Sequence, residues 1–252
     1  MTLPAIAIAL IGGLLLGSFL NVVVHRMPLR VSLVSPGSAC PNCGQPVRPW
    51  HNVPVLSWLL LRGRCHDCAT PISARYPLVE LMTGVLLAAV VAVHLGDTPE
   101  LVLGLVLVAF LVPMALIDLD HRIIPNRLTA PAAVVAIVLG TALDPSGEPE
   151  RLIAGVAAAG FLLVAALVKP GGMGMGDVKL AGVLGLFLGA PVAVALMVGL
   201  ITGTVAGAVV MARVGVTAGR KATVPFGPFL AVGGVVAVLA GEPLIDAYLD
   251  TF

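Results

Sequence analysis

Three acidic residues of this chain are candidates for catalysis, two after an apolar run and one after a glycine-rich turn. Asp118 and Asp120 come directly after the apolar run from Leu101 to Ile117, and Asp177 follows a glycine-rich turn at 171–176. A charged side chain at the centre of a membrane helix costs about 2.5–3.5 kcal/mol on insertion scales, so such acids need a function or a good partner. Two neighbouring carboxylates share a proton, and one can activate water while the other polarises a carbonyl. The predicted chemistry is that of an aspartic protease.

Asp120 competes with Asp118 for a place in this pair. Residues two apart on a helix point about 200° away from each other, so only one of the two can face Asp177. The spacing alone does not choose between them.

The cysteines predict a metal site in a polar loop at 25–76. The four residues are Cys40, Cys43, Cys65 and Cys68. They form two Cys-x-x-Cys pairs separated by 21 residues, which is typical of a tetrahedral zinc site with four thiolate ligands and a structural role. His51 and His66 could replace a cysteine, although a solvated loop position suits each histidine better. Two disulfides are the alternative, but a cytoplasmic loop disfavours them.

The composition is that of an all-α polytopic membrane protein. Of 252 residues, 59% are hydrophobic and 11% are charged, and the mean hydropathy is +1.08. Soluble domains have about 45–50% apolar and about 25% charged residues. The formal net charge of +1 gives no indication of a nucleic-acid partner.

The apolar stretches predict about eight membrane spans, each of which needs about 17–25 residues. The predicted spans are 3–24, 78–95, 100–117, 128–143, 152–168, 178–190, 191–212 and 224–241. The sixth is short enough to be tilted or partly re-entrant. The first lacks the basic start of a cleaved signal peptide, so we expect it to be retained.

The basic residues predict the orientation. With eight spans, thirteen of the fourteen Lys and Arg residues lie on one side, and only Arg151 lies on the other. The positive-inside rule makes the first side cytoplasmic, with both termini outside. Asp118, the glycine-rich turn and the loop at 25–76 then share the cytoplasmic face.

Two motifs resemble the aspartate motifs of type IV prepilin peptidases, which belong to the Gly-x-Gly-Asp class of membrane aspartic proteases. They are Leu116–Asn126, which contains Asp-Leu-Asp, and Gly174–Leu180, which contains Gly-Met-Gly-Asp. The likeness extends in the same order to Gly17–Asn21, the cysteine loop, Arg75–Glu80 and Pro225–Phe229. The resemblance implies that Asp118 and Asp177 are catalytic and that Asp120 is not. Asn126 stands where many relatives have an aspartate.

The resemblance also implies a function. Such enzymes sit in the bacterial inner membrane and remove short basic leader peptides from prepilins and pseudopilins at the cytoplasmic face. Members with the cysteine loop often methylate the new N-terminus with S-adenosylmethionine. No Gly-rich Rossmann-type signature is present, so the residues that would bind this methyl donor are not assigned. The expected domains are a first span at 1–24, a zinc-binding loop at 25–76 and a membrane-embedded peptidase at 77–252.

Two other functions compete with a protease. A proton-coupled transporter would use intramembrane acids, but those are expected near the middle of the bilayer, whereas these lie at helix ends. A zinc-bearing membrane scaffold would pair its acids with Arg122, Arg127 or Lys179. The sequence does not determine the substrate protein or the oligomeric state.

Overall fold

The computed structural model describes residues 2–169, 173–215 and 224–251, and within them the chain is helical, with isolated β-bridges but no strand. The helices are α1 Thr2–Arg26, α2 Leu56–Leu60, α3 Arg75–His94, α4 Thr98–His121, α5 Asn126–Leu143, α6 Glu148–Val168, α7 Met175–Leu188, α8 Val192–Val214 and α9 Gly227–Leu249. Gly171, Gly172, Arg220 and Lys221, on which the sequence predictions also drew, lie outside the described residues. The predicted all-α membrane fold is confirmed.

Among the described residues, seven helices are long and apolar enough to cross a membrane: α1, α3, α4, α5, α6, α8 and α9. The sixth predicted span is α7, which has 14 residues. At 1.5 Å per residue its length is about 21 Å, less than the roughly 30 Å of a bilayer core. The expected short helix is therefore present between helices of full length.

Most helix boundaries differ from the prediction by a few residues. Helix α7 begins at Met175 instead of 178, so Asp177 lies inside its first turn. Helix α4 continues through Asp118 to His121, and α9 continues past 241 to Leu249. Hydropathy marks the part of a helix that lipid can cover, whereas the backbone stays helical wherever its hydrogen bonds continue.

The chain divides into two compact units, residues 1–95 and 96–252. In the first unit, α1 packs along α3. The Asn21 amide of α1 donates to the Tyr76 carbonyl of α3 across 3.1 Å. Glu80 is buried and accepts a hydrogen bond from the Val55 backbone at 2.7 Å. This bond anchors the polar loop to α3.

In the second unit, α4 is the most enclosed of the membrane-length helices. Leu107, Met114 and Ile117 on α4 are fully buried, and the helix contacts α5, α7 and α9. Helix α6 packs on α7, and α8 packs on α9. The burial of α4 fixes the position of the acidic residue in its last turn, Asp118.

Arg151 ties the end of α5 to the start of α6. It is 6% exposed, and its guanidinium donates to the Asp144 carboxylate at 3.0 Å, to the Asp144 carbonyl at 2.6 Å and to Glu148 at 3.3 Å. Arg151 is the basic residue that was predicted on the other side of the membrane, and Asp144 and Glu148 neutralise its charge.

Candidate active site and metal centre

Asp118 lies in the last turn of α4, where it is 5% exposed. The helix ends because Arg122 adopts the left-handed conformation, with φ 56° and ψ 39°. The Arg122 backbone N–H donates to the Asp118 carbonyl at 2.8 Å, which satisfies one of the carbonyls left without a partner at a helix end. The side chain of Asp118 stays inside the unit while the backbone turns away.

The start of α9 meets the Asp118 carboxylate. The backbone N–H of Gly227, the first residue of α9, donates to Asp118 Oδ2 across 2.9 Å. The first N–H groups of a helix lack partners within it and carry the positive end of its dipole. A Cβ at position 227 would lie 2.7 Å from that oxygen. The close approach therefore requires glycine.

Asp177 lies in the first turn of α7 and, like Asp118, accepts a backbone N–H at the start of a helix. It is 8% exposed, and its Oδ2 accepts the backbone N–H of Gly174 at 3.1 Å. Acidic residues in a first helical turn are stabilised by the orphan N–H groups and the dipole. Both candidate carboxylates are thus bound at the start of a helix.

Ile124 joins the two carboxylate positions. It is 9% exposed, and a Cβ on Gly176 would lie 3.0 Å from its Cβ, while a Cβ on Gly227 would lie 3.1 Å from its Cδ1. The backbone next to Asp177 and the backbone bonded to Asp118 therefore touch one side chain. The structure brings the two acids together, whereas Asp120 is exposed.

A second link joins α5 and α7 beside this pair. Lys179 Nζ donates to Asn126 Oδ1 across 2.9 Å, and both residues are exposed. No pattern in the sequence indicated this bond. The Gly227 contact was also missed, although a glycine between two prolines at a helix start was a signal for it. Lys179, one of the three cations that the scaffold hypothesis would pair with the acids, is bonded to Asn126.

The four cysteines of the loop converge on one point. Their sulfur atoms all lie within 4.8 Å of one another, and each Cys-x-x-Cys pair sits in a tight turn. In the first turn Cys40 N–H donates to the Gln45 carbonyl at 2.9 Å, and in the second Cys65 N–H donates to the Thr70 carbonyl at 2.8 Å. This repeated geometry can hold a metal ion, as the spacing predicted.

The residue after each pair adopts positive φ, 71° at Gly44 and 56° at Ala69. Gly44 N–H donates back to the Cys40 carbonyl at 2.9 Å, and Ala69 N–H donates to the Cys65 carbonyl at 3.0 Å. The two turns are therefore the same structure, built once with glycine and once with alanine. Alanine is strained in this conformation.

Two of the four free thiols are shifted towards the thiolate form. Hydrogen bonds from the Thr70 hydroxyl, the Thr70 backbone and Asn42 lower the pKa of Cys68 to about 6. Backbone hydrogen bonds from Cys43 and Asn42 lower the pKa of Cys40, whereas desolvation and the neighbouring sulfurs raise the pKa of Cys43 to about 12. Metals bind the thiolate. The Cys40 and Cys68 sulfurs lie 3.7 Å apart across the two turns, so the arrangement favours a shared ion over a disulfide within each turn.

The two loop histidines do not belong to the sulfur cluster. The rings of His51 and His66 have their centres 4.6 Å apart and their planes tilted by 31°, and His66 Nδ1 lies 3.0 Å from Asp67 Oδ1. The hydrogen bond with His66 lowers the pKa of Asp67, and the positive charge of Arg48 lowers it further. Neither histidine is in the group of potential ligands found among the described residues.

The unit at 1–95 also contains a cavity of about 560 Å³. The residues that line it include Asp67, Glu80, His51, Trp58 and Tyr76. Small-molecule sites enclose about 300–1,000 Å³ and combine apolar walls with a few polar groups. The cavity has the size and the mixed lining of such a site.

Known proteins resemble both units. Residues 11–94 match the Bacterial Peptidase A24 N-terminal domain, and residues 105–212 match the Type IV leader peptidase family. No solved structure matches the chain.

Curated relatives resemble almost the whole chain. A prepilin leader peptidase/N-methyltransferase from Stutzerimonas stutzeri is 36% identical over 96% of this chain and 93% of its own length. One of the same name from Pseudomonas aeruginosa is 35% identical over 94% of this chain and 91% of its own length. Another from Myxococcus xanthus is 46% identical over 70% of this chain, and the match covers 54% of that relative.

Proposed function

This chain belongs to the type IV leader peptidase family, and we propose that Asp118 and Asp177 are the two carboxylates with which it cleaves the leader peptide of a prepilin. The observation that carries this proposal is the pair itself. Two buried acids each accept a backbone N–H at the start of a helix, and Ile124 lies against a glycine beside each of them. Asp120 is exposed and is left outside the pair.

The pair can perform peptide hydrolysis with one shared proton. The ionised carboxylate takes a proton from a water molecule, whose oxygen attacks the scissile carbonyl carbon, and the protonated carboxylate donates to the carbonyl oxygen. The proton taken from the water molecule then passes to the leaving amine as the C–N bond breaks. The N–H groups of Gly227 and Gly174 hold the two carboxylates in place during these transfers. A transporter role is not supported by the family.

The chain is a multi-pass protein of a bacterial inner membrane, and we propose that the aspartate pair faces the cytoplasm. The charge asymmetry of the connections supports this orientation. The basic residue on the other side, Arg151, is bonded to Asp144 and Glu148, so its charge is compensated locally. The substrates on this proposal are prepilins or pseudopilins whose apolar helix lies in the bilayer.

We propose that the four-cysteine cluster holds zinc in a structural role. The donor set consists of four sulfurs converging from two tight turns, and a set of four thiolates suits the tetrahedral coordination of this metal. Bound zinc would supply folding free energy to a loop that contains few aliphatic residues. The cluster occupies the middle of the predicted loop domain at 25–76, between the first span and the predicted peptidase domain at 77–252.

The names of the relatives include N-methyltransferase, and we propose that this chain also methylates the new N-terminus with S-adenosylmethionine. The cavity in the unit at 1–95 supports this proposal, because its volume of about 560 Å³ lies within the range of small-molecule sites. Glu80 or Asp67 would face its positive sulfonium group, and the ring of Trp58 would contact its adenine. When bound, this donor supplies the activated methyl group.

The experiment that tests the protease assignment uses purified full-length protein, a prepilin and labelled S-adenosylmethionine. Cleavage and methyl transfer are scored separately. Asp118→Asn and Asp177→Asn are each expected to abolish cleavage, while Asp120→Asn retains most of it. Normal cleavage in either of the first two variants would refute the pair, and equal loss in the third would overturn the choice of Asp118.

The methyl-donor site has its own variants in the same assay. Trp58→Leu is expected to raise the concentration of S-adenosylmethionine needed for methyl transfer without changing cleavage. Unchanged methyl transfer in this variant would place the donor elsewhere. Ser146→Ala, in a turn of the second unit, serves as the control and should alter neither activity.

A further inference from the structure

Ile124 is a buried apolar residue in a short connection between two helices. The connection between α4 and α5 spans Arg122 to Pro125. Of the two isoleucines in it, Ile123 is 49% exposed and Ile124 is 9% exposed. A connection of this length at the end of a helical bundle normally lies on the surface. The burial of one of its two isoleucines needs an explanation.

The turn geometry delivers this side chain to the carboxylate pair. Arg122 in the left-handed conformation reverses the chain after α4, and Pro125, with φ −67°, precedes the first residue of α5. Proline fixes φ near this value, so the segment between the two is held at both ends. Ile124 is thereby directed inward.

Ile124 lies beside two glycines that neighbour the carboxylates. Its Cβ lies against Gly176, the residue before Asp177, and its Cδ1 lies against Gly227, whose N–H is bonded to Asp118. A Cβ on Gly227 would collide with Asp118, and a Cβ on Gly176 would crowd Ile124. Ile124 therefore lies between Gly176 in the first turn of α7 and Gly227 at the start of α9.

We propose that Ile124 is a positioning residue that sets the separation of the Asp118 and Asp177 carboxylates and thereby the rate of peptide cleavage. It touches neither the water nor the scissile bond, and acts through the two helix starts that bind the acids. This inference rests on the proposed function of the pair.

The separation matters because both carboxylates must reach one water molecule and one carbonyl. Displacement of a catalytic group by about 1 Å can cost about a hundredfold in rate. The strength of the interaction between two carboxylates also depends on their separation, and it sets the spacing between the two limbs of a pH–rate profile. A spacer between the carboxylates should therefore affect both kcat and the shape of that profile.

The test compares graded truncations of Ile124 in the purified full chain with a prepilin substrate. Ile124→Val removes the Cδ1 that touches Gly227 but keeps the Cβ that touches Gly176, so we expect a fall in kcat of about tenfold or less. Ile124→Ala removes both γ carbons, and we expect a fall of about a hundredfold. In both variants KM stays unchanged and the spacing of the two limbs of the profile changes.

Ile123→Ala is the matched control, because it shortens the exposed isoleucine of the same connection. It should keep the wild-type kcat and the wild-type profile. The nearby charged residues Asp120, His121, Arg122 and Lys179 are exposed and are the same in every variant, so they do not contribute to a difference in the profile.

Three results distinguish the outcomes. A lower kcat with an altered profile for Ile124 and not for Ile123 supports the inference. A lower amount of active enzyme with an unchanged profile, or equal effects at both positions, would overturn it and leave Ile124 as a packing residue. If Asp118→Asn and Asp177→Asn also cleave normally, the proposed pair fails together with its spacer.

Discussion

The backbone N–H of Gly227 at the start of α9 donates to Oδ2 of Asp118 at the end of α4, across 2.9 Å and 109 positions of sequence. Asp118 lies at the C-terminal end of its own helix, where the dipole disfavours a negative charge. The start of α9 supplies the opposite end of a dipole and an unpaired donor. Two helix ends of opposite polarity thus meet at one carboxylate.

This contact predicts a strong effect of one methyl group. In Gly227→Ala the new Cβ would lie 2.7 Å from Asp118 Oδ2, so the carboxylate or the start of α9 must move. We expect kcat for prepilin cleavage to fall roughly a hundredfold. Gly160→Ala on α6 is the control, since nothing lies within 4 Å of its added Cβ. A wild-type rate in Gly227→Ala would show that the contact is dispensable.

The Lys179–Asn126 hydrogen bond predicts a small effect with a defined sign. Asn126→Asp converts the exposed 2.9 Å bond into an ion pair, and exposed ion pairs contribute about 0.2–1 kcal/mol. We expect a slightly higher free energy of unfolding for Asn126→Asp and a lower one for Lys179→Met. Unfolding of purified protein in detergent measures both. A stabilised Lys179→Met variant would contradict the link.

The four-cysteine cluster predicts one metal ion for each chain. Metal analysis of purified protein should find about one zinc per chain, and a strong chelator or acid should release it because thiolates, not thiols, are the ligands. Cys40→Ser should lower the zinc content and make the loop sensitive to protease. Metal-free protein with disulfides between Cys40 and Cys43 or between Cys65 and Cys68 would refute the site.

The two equivalent turns of the cluster predict opposite effects of glycine and alanine. In the left-handed conformation an alanine costs about 1–2 kcal/mol, and both Gly44 and Ala69 adopt it. Gly44→Ala should therefore weaken zinc binding, whereas Ala69→Gly should leave it unchanged or strengthen it slightly, since glycine's extra freedom in the unfolded chain offsets part of the gain. Competition with a chelator measures both affinities. Equal weakening would show that φ at these positions is unimportant.

Asp144 predicts a dependence of stability on pH. Hydrogen bonds from the Ser146 hydroxyl, the Gly147 N–H and Arg151 lower the pKa of Asp144 below its ordinary value. The stability that this depression contributes is complete above about pH 4, the unfolded pKa, and is lost as pH falls through the lower folded pKa. Asp144→Asn should be less stable than wild type at pH 7, and the difference should shrink in acid. A difference that is constant with pH would exclude this origin.

Local features of the sequence determined most of the fold. Apolar runs of membrane length predicted the helices. Lipid offers no partner for backbone N–H and C=O groups, and a single apolar run satisfies these groups internally when it is helical. The short α7 was predicted by the same rule. The convergence of the four cysteines followed from their spacing, since each Cys-x-x-Cys pair folds as its own turn. The boundaries were predicted less closely, and α7 begins three residues earlier than expected, which places Asp177 inside the helix.

The carboxylate site depends on contacts that the sequence did not predict. The sequence by itself determined that acidic residues lie at the ends of two predicted spans and that Asp118 and Asp120 point to different faces. Its resemblance to a family indicated which of these acids to expect in the catalytic pair. Only the tertiary structure decided that Asp118 is buried and Asp120 exposed, that Gly227 approaches Asp118, and that Ile124 lies between Gly176 and Gly227. The physical reason is that these contacts join helices far apart in the chain, and a local pattern fixes the direction of a side chain on its own helix but not the helix that packs against it.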